Sequence, residues 1–280
     1  MRFFGLLILC LTLPVLAGSE IKTQIHDVDY GKKGEDVLIL LTSGHVAKLR
    51  PEDKRFLEIV SIKNQNGWFN FTLDDDRYIT QVEPSQSPID EIDYSLSQSS
   101  EKETYIPTTI ASMDVAKSYF KTARRTHKEE TQCFNRAMIW TYEWWKKHSL
   151  KSNKLLVFFT RNYIRRYNFE WWFHIAPYVH ILHEGKVVER VMDVKYSSGP
   201  RTFREWTNIF MNKDPECPVI TRYSDYADHP YVGECYIMRT HMYTYQPADL
   251  QMYEAWGYKK NAFNLQEVKG AYLEAYDIEL

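Results

Sequence analysis

The stretch 83–107, EPSQSPIDEIDYSLSQSSEKETYIP, divides the chain. Ser, Pro, Glu and Gln dominate it, apolar residues are sparse, and no helix or strand period runs through it. A segment of that composition buries too little apolar surface to offset the entropy of ordering it. It predicts a flexible, protease-accessible linker. Each flank must then fold around a core of its own. The expected organisation is a small β-rich N-terminal domain over 18–82 and a larger domain over 108–280, which a chain of 280 residues accommodates.

The first residues, 1–17, read MRFFGLLILCLTLPVLA. One basic residue precedes an apolar run that ends in small residues, the pattern of a secretory signal peptide. The run is shorter than the ~20 residues of a membrane-spanning helix. The expectation is a secreted protein, periplasmic or extracellular, with no membrane association once the signal is removed. Cys10 leaves with the signal, and Cys133, Cys217 and Cys235 remain. An odd count in an exported chain implies one pair and one free thiol. Cys217 and Cys235 share a loop-rich region and are the natural disulfide. Cys133 is then a lone thiol exposed to oxidation, which calls for a reason.

Within 18–82 the pattern is short strands. Asp36 to Thr42 is apolar and β-prone, Phe56 to Ile62 alternates with period two, and Trp68 to Leu73 and Tyr78 to Val82 do likewise. They predict one small antiparallel sheet, with Asn66-Gly67 as a turn between two of its strands. Beyond 108, Met113 to Arg125 and Thr131 to Lys147 carry helical spacing, with Thr131 as a suitable N-cap and Phe134, Ala137, Met138 and Thr141 as one stripe. Leu155 to Phe159 is β-prone. Trp171 to Leu182 and Lys186 to Asp193 flank His183-Glu184-Gly185 and read as a hairpin. Phe203 to Phe210 reads as a short helix.

Three of these elements converge on one chemistry. Cys133 stands at the start of a helix, where the dipole and unpaired N–H groups favour a thiolate and can also stabilise an oxyanion. A thiolate nucleophile needs a base, and the base needs an orienting group. With Glu184-Gly185 at the hairpin tip, His174 faces Lys195, and Asp193 lies diagonal to His174 on the same sheet face. Diagonal neighbours roughly 7–8 Å apart by Cα are within reach of an imidazole–carboxylate hydrogen bond. The order Cys, His, Asp, with the cysteine on a helix and the others on an antiparallel sheet, is the papain- and transglutaminase-like arrangement. The fold class expected is α+β: such a catalytic domain preceded by a small mainly-β domain. Gln132, Trp171 and Trp172 are candidates to line a substrate groove.

The run Cys133-Phe-Asn-Arg-Ala, the run Trp172-Phe-His-Ile-Ala, and Val191-Met-Asp193 followed by Ser197-Ser-Gly-Pro and Trp206 resemble the protein-glutaminase family of secreted bacterial protein-glutamine deamidases. The likeness spans roughly 130–210. It departs from the family pattern at Met138, where His often follows Arg-Ala, and at Val194, where Pro usually follows the Asp. The resemblance implies deamidation of side-chain glutamine in proteins or peptides, with Cys133, His174 and Asp193 as the triad. It also implies an inhibitory pro-region, which the layout of a small β domain on a linker already suggests. The partners expected are therefore glutamine-bearing proteins and the chain's own N-terminal region.

Composition narrows the rest. Lys and Arg total 35 against 37 Asp and Glu, a net charge of -2, so nothing general in the charge holds nucleic acid. There is no phosphate-binding or dinucleotide-binding glycine motif, and no cofactor is expected. His180 and His183 would fall on opposite faces of a strand with no cysteine or carboxylate cluster near them, so no metal site is expected. Arg161, Arg165 and Arg166 read as a solvated basic face. A transglutaminase or a cysteine peptidase would share the triad, and a binding module with a vestigial triad is the reading from another class.

Overall fold

Two separate apolar cores organise the chain in the computed structural model, which describes residues 19–280 apart from 66, 88–97, 100–103, 126–127, 129–130, 212–213 and 258. The expected signal peptide, the turn residue Asn66 and much of the expected linker lie outside the described residues.

The N-terminal lobe holds two antiparallel three-stranded sheets, where the sequence suggested one. β1 (Ser19–Thr23) pairs with β5 (Trp68–Leu73), which pairs with β6 (Ile79–Ser85). The second sheet runs β2 (Ile25–Asp29), β3 (Val37–Leu41), β4 (Val46–Leu49). Phe56–Asn64, expected as a strand, is a helix, α1. Its buried residues are Ile59 and Ile62, while Leu57 is exposed, so the three-residue spacing wins over the apparent alternation. Asp53 fixes the turn before the helix by accepting the Arg55 N–H at 2.9 Å. Gly67 therefore joins a helix to a strand. The small core gathers Ile25, Val37, Ile39, Leu41, Ile59, Phe71 and Ile79.

β3 is buried along its whole length. Its odd-numbered residues face the small core, while Leu38 and Leu40, with Val46, belong to the large one. A strand apolar on both faces is a strand covered on both faces. The N-terminal lobe is thus packed onto the rest of the molecule by its second sheet.

The stretch 83–107 is partly structured: β6 continues to Ser85, and a short β7 (Gln98–Ser99) pairs with β14 (Lys259–Lys260) near the C-terminus. Next come β8 (Thr109–Ile110), α2 (Met113–Thr122), α3 (Cys133–His148), β9 (Asn153–Phe159) and α4 (Arg161–Tyr167). β10 (Phe173–His183), β11 (Lys186–Val191), α5 (Phe203–Phe210), β12 (Val219–Ile220) and α6 (Ser224–Ala227) follow. β13 (Cys235–His241), α7 (Pro247–Trp256) and α8 (Leu265–Tyr276) complete the chain. The large sheet has the order β11-β10-β9-β13-β12, with β8 beside the far end of β10. α3 packs on β10 and α8, and it is buried on nearly every side from Cys133 to Thr141. Under the C-terminal helices, Lys260 is buried between Asp249, at 2.8 Å, and Glu267.

The hairpin has the expected register, with His183 opposite Lys186 and Tyr178 opposite Val191. Its two-residue tip needs positive φ at both positions, 51° at Glu184 and 74° at Gly185, the geometry whose twist matches paired strands. Cys217 and Cys235 are joined, and Cys133 is free. The bond spans 18 residues, and on the chain-entropy account is worth about 3 kcal/mol. Cys217→Ser with Cys235→Ala is expected to lower the melting temperature by roughly 6–10 °C. An unchanged melt would show that the link contributes nothing.

Candidate active site

Cys133 is the first residue of α3 and 9% exposed. The cap is not Thr131, whose hydroxyl donates to the Lys128 carbonyl at 2.9 Å. Gln132 holds the cap position in extended conformation, and its side chain makes no capping bond. The first N–H groups of α3 thus have no side-chain cap of the usual kind.

His174 is the second residue of β10 and Asp193 lies just past the end of β11. Both are buried. The imidazole Nε2 meets the Asp193 Oδ2 at 2.7 Å, and the Cys133 thiol lies close enough to the ring to raise its pKa. One side chain thus links the helix to the sheet. The route differs from the diagonal expected. Strand pairing stops at Val191, which turns to bridge Arg201, and His174 pairs instead with Val157 of β9. Asp193 opens a tight turn in which Ser197 N–H donates to its carbonyl at 3.0 Å and Lys195 N–H to its Oδ1 at 3.2 Å. The turn aims the carboxylate back at the histidine.

Asp193 Oδ2 also accepts the Trp206 indole N–H at 3.0 Å, and burial is offset by these donors so that the carboxyl lies below its ordinary range. Burial would depress the His174 pKa. The hydrogen bond with Asp193 and the neighbouring Cys133 thiol outweigh it and hold the imidazole up at about 9. The ring is boxed by aromatic side chains: Trp171 and Trp206 stack on it at 5.4 Å, and Phe210 and Tyr196 meet it edge-on at 4.9 and 5.4 Å. Arg136, buried one turn after Cys133, lies 5.7 Å from the Tyr196 ring. Such a box keeps water off the imidazole and fixes its rotamer. Trp206→Phe is expected to keep the stacking and lose the N–H. We expect turnover to fall about 10-fold with little change in KM, read by steady-state kinetics. Parental kcat would remove Trp206 from the positioning of Asp193.

Of the groove candidates, Trp171 is partly exposed and lies on His174, and Gln132 leads into Cys133. Trp172 is covered by the N-terminal lobe in the intact chain. It is 1% exposed, stacks on His26 at 4.2 Å and donates its indole N–H to the Leu41 carbonyl at 2.7 Å. The chain bends at Trp172, ahead of β10, so its ring packs on His26 while that of Trp171 lies on His174. Among the described residues no three His, Cys, Asp or Glu side chains group to hold a metal. His180 stands 3.5 Å from Glu189, and His183 is exposed beside Glu184.

The segment leading to His174 is roofed by the N-terminal lobe. Trp172 N–H donates to the Gly44 carbonyl at 2.9 Å and Val46 N–H to the Glu170 carbonyl at 2.8 Å, with His45 bridging Trp171. Gly44, at φ 94°, brings its backbone so close that a Cβ would stand 3.3 Å from the Phe173 ring. Of the three arginines expected on a solvated face, Arg166 is exposed, while Arg161 and Arg165 clamp this lobe. Arg161 is buried against Asp27 at 3.3 Å and the Tyr226 hydroxyl at 2.6 Å, and Arg165 holds Asp29 at 2.6 Å. Their carboxylate partners lie more than a hundred residues upstream, so no local pattern could show them.

Comparison with known proteins bears on this geometry. Residues 111–210 match the glutaminase family. The segment carries Cys133, His174, Asp193 and Trp206, so the resemblance in the sequence holds at the level of the family. No curated protein matches the chain. Among solved structures, that of pro-protein-glutaminase aligns with a TM-score of 0.51 at 14% identity, covering 92% of this chain and 93% of that one. A mutant of the same pro-protein aligns with a TM-score of 0.50 at 14% identity, covering 82% and 84%. At such identity the likeness is one of fold, and its coverage takes in the N-terminal sheets as well as the glutaminase-family segment. Among the described residues no helix is long and apolar enough to cross a membrane.

Proposed function

We propose that this chain is the exported precursor of a thiol hydrolase that deamidates glutamine side chains in proteins or peptides. On this reading Cys133, His174 and Asp193 are the triad, and the N-terminal lobe is its intramolecular inhibitor. The observation that carries the proposal is His174, buried between a carboxylate and a thiol at the start of a helix. The glutaminase-family match and the fold of pro-protein-glutaminase support it.

The reaction follows from the residues. Cys133 sulfur attacks the side-chain amide carbon, forming an S–C bond, while α3 N–H groups face the developing oxyanion. His174, protonated at neutral pH, gives its proton to the departing nitrogen, and the C–N bond breaks to release ammonia. Water enters, His174 takes its proton, and hydroxide addition to the thioester frees a glutamate side chain and the thiol. Asp193 holds the ring orientation throughout and is not itself protonated.

The test is mass spectrometry of glutamine-bearing proteins incubated with the chain cut within 83–107 and freed of its N-terminal lobe, with ammonia measured in parallel. The expected result is a gain of roughly 1 Da per modified residue with equimolar ammonia. Cross-linked products would make the chain a transglutaminase, backbone cleavage a peptidase. No change on any substrate would leave a binding module.

A further inference from the structure

A second carboxyl group reaches the nucleophile's helix from the C-terminal end of the chain. Glu274, in the last turn of α8, accepts the backbone N–H of Gln132 at 3.0 Å. That N–H belongs to the residue that ought to cap α3 with its own side chain and does not. The carboxyl ties down the peptide immediately before Cys133. It leaves the N–H groups of the first helical turn, those that would meet an oxyanion, to the cleft. α8 is itself fixed along this flank: Tyr272 donates its hydroxyl to Glu143 of α3 at 2.9 Å, and Asp277 pairs with Lys128 ahead of α3.

We propose that Glu274 is a positioning residue of the reaction, anchoring the 131–133 peptide so that the Cys133 sulfur meets His174. The inference rests on the triad reading above. The charges facing Glu274 are Lys128 from the segment before α3 and Arg136 from α3. Burial raises its pKa, and against these cations and the Gln132 N–H the carboxyl still stands at about 7. It therefore remains largely neutral below neutral pH and places little negative charge beside a thiolate there. Above pH 7 that charge grows and opposes the thiolate for the positive end of α3.

The experiment uses the full-length chain cut within 83–107 and freed of its N-terminal lobe, and compares Glu274→Ala and Glu274→Gln with the parent, by kcat and KM on a glutamine peptide and by the rate of Cys133 alkylation with iodoacetamide from pH 5 to 8.5. Alkylation reads the thiol whether or not the protein deamidates anything, so failure of the deamidase reading and failure of this one are distinguishable. Glu274→Ala is expected to lose about 30-fold in kcat and about 10-fold in alkylation at pH 7, with KM unchanged. Glu274→Gln keeps an acceptor and should stay within about threefold of the parent below pH 7, then alkylate faster than the parent above pH 7.5. Parental behaviour of Glu274→Ala overturns the proposal, as does Glu274→Gln falling as far as the alanine variant. If the alanine variant does not fold, Glu274→Met, which fills the space without accepting the Gln132 N–H, takes its place: parental kcat and parental alkylation in that variant overturn the proposal.

Discussion

Cys133→Ala is expected to lose glutamine deamidation by at least about 10³-fold while melting at the parental temperature. The sulfur forms the only covalent bond to substrate in the proposed mechanism, and alanine removes that single atom. His174→Ala is expected to be as inactive, for want of both acid and base. It should also be less stable, because Asp193 stays buried with only the Trp206 and Lys195 N–H donors. Asp193→Asn keeps the shape but withdraws the charge that holds the imidazole up, so it should retain a trace of activity. The parent has an alkaline limit set by the same pair. The His174 pKa is raised from 6.5 to about 9, so its protonated form and the stability it brings are complete below pH 6.5 and lost as pH rises through 9. Steady-state rates from pH 6 to 10 should fall with an inflection near 9 in the parent and at lower pH in Asp193→Asn. Turnover near the parental level in Cys133→Ala would sink the mechanism.

That site was largely legible in the sequence because its parts are local. A helix start shows in the spacing after Cys133, and the hairpin tip at Glu184-Gly185 fixes which residues oppose one another. Asp193 was placed beside His174 for a partly wrong reason. The pairing does not run as far as Lys195, and it is a turn, which the register cannot foresee, that returns the carboxylate. Trp206 was visible only as part of a resemblance, because no local rule says that an indole thirteen residues on will reach an aspartate. Trp172 reads like a groove residue beside Trp171, yet a bend ahead of β10 sends its ring onto His26 of the N-terminal lobe, a contact no local pattern shows. Phe56–Asn64 misled because a short run of alternating apolar residues satisfies both periods. Arg161 and Arg165 were unreadable because their meaning depends on carboxylates of a distant sheet. Glu274 was equally hidden, on a helix at the far end of the chain with only its packing to bring it to Gln132. The contacts that pattern could not supply are those between elements remote in sequence.

The largest of those remote contacts yields the second expected result: cutting the chain within 83–107 and lowering the pH should free the N-terminal lobe and raise the deamidation rate. The intact tether holds the lobe at an effective concentration on the order of millimolar, so a modest intrinsic affinity suffices to cover the cleft. Once it is cut, the lobe relies on Leu38, Leu40 and Val46 in the large core, the arginine clamps, and two histidines that dock without charge. His26, stacked on Trp172 and 2.9 Å from the Tyr223 hydroxyl, is lowered to about 4 by burial, against the pull of Asp27 and with Arg161 and Lys63 assisting. His45, bridging Trp171, is lowered to about 4 by burial and by Arg77 and Arg136. A histidine whose pKa is lower docked than free binds fewer protons when docked. Docking is therefore strongest above pH 6.5 and weakens as pH falls toward 4. A cavity of about 580 Å³ opens beside His26, between Asp27, Arg161 and Tyr223. Both rings keep partial water contact, so at pH 5 each contributes about 1 kcal/mol, and together they weaken docking roughly 30-fold. Size-exclusion chromatography of the cut chain at pH 7.5 and pH 5 should show the lobe retained at the first and shed at the second. Deamidation by the separated large fragment, measured back at pH 7.5, should exceed that of the uncut chain. His26→Phe with His45→Phe should keep the lobe bound at both pH values, because neither ring can then take a proton. A lobe equally bound at pH 5 and 7.5 in the parent would remove the histidines from the interface energetics. An uncut chain as active as the cut and separated one would end the inhibitor reading altogether.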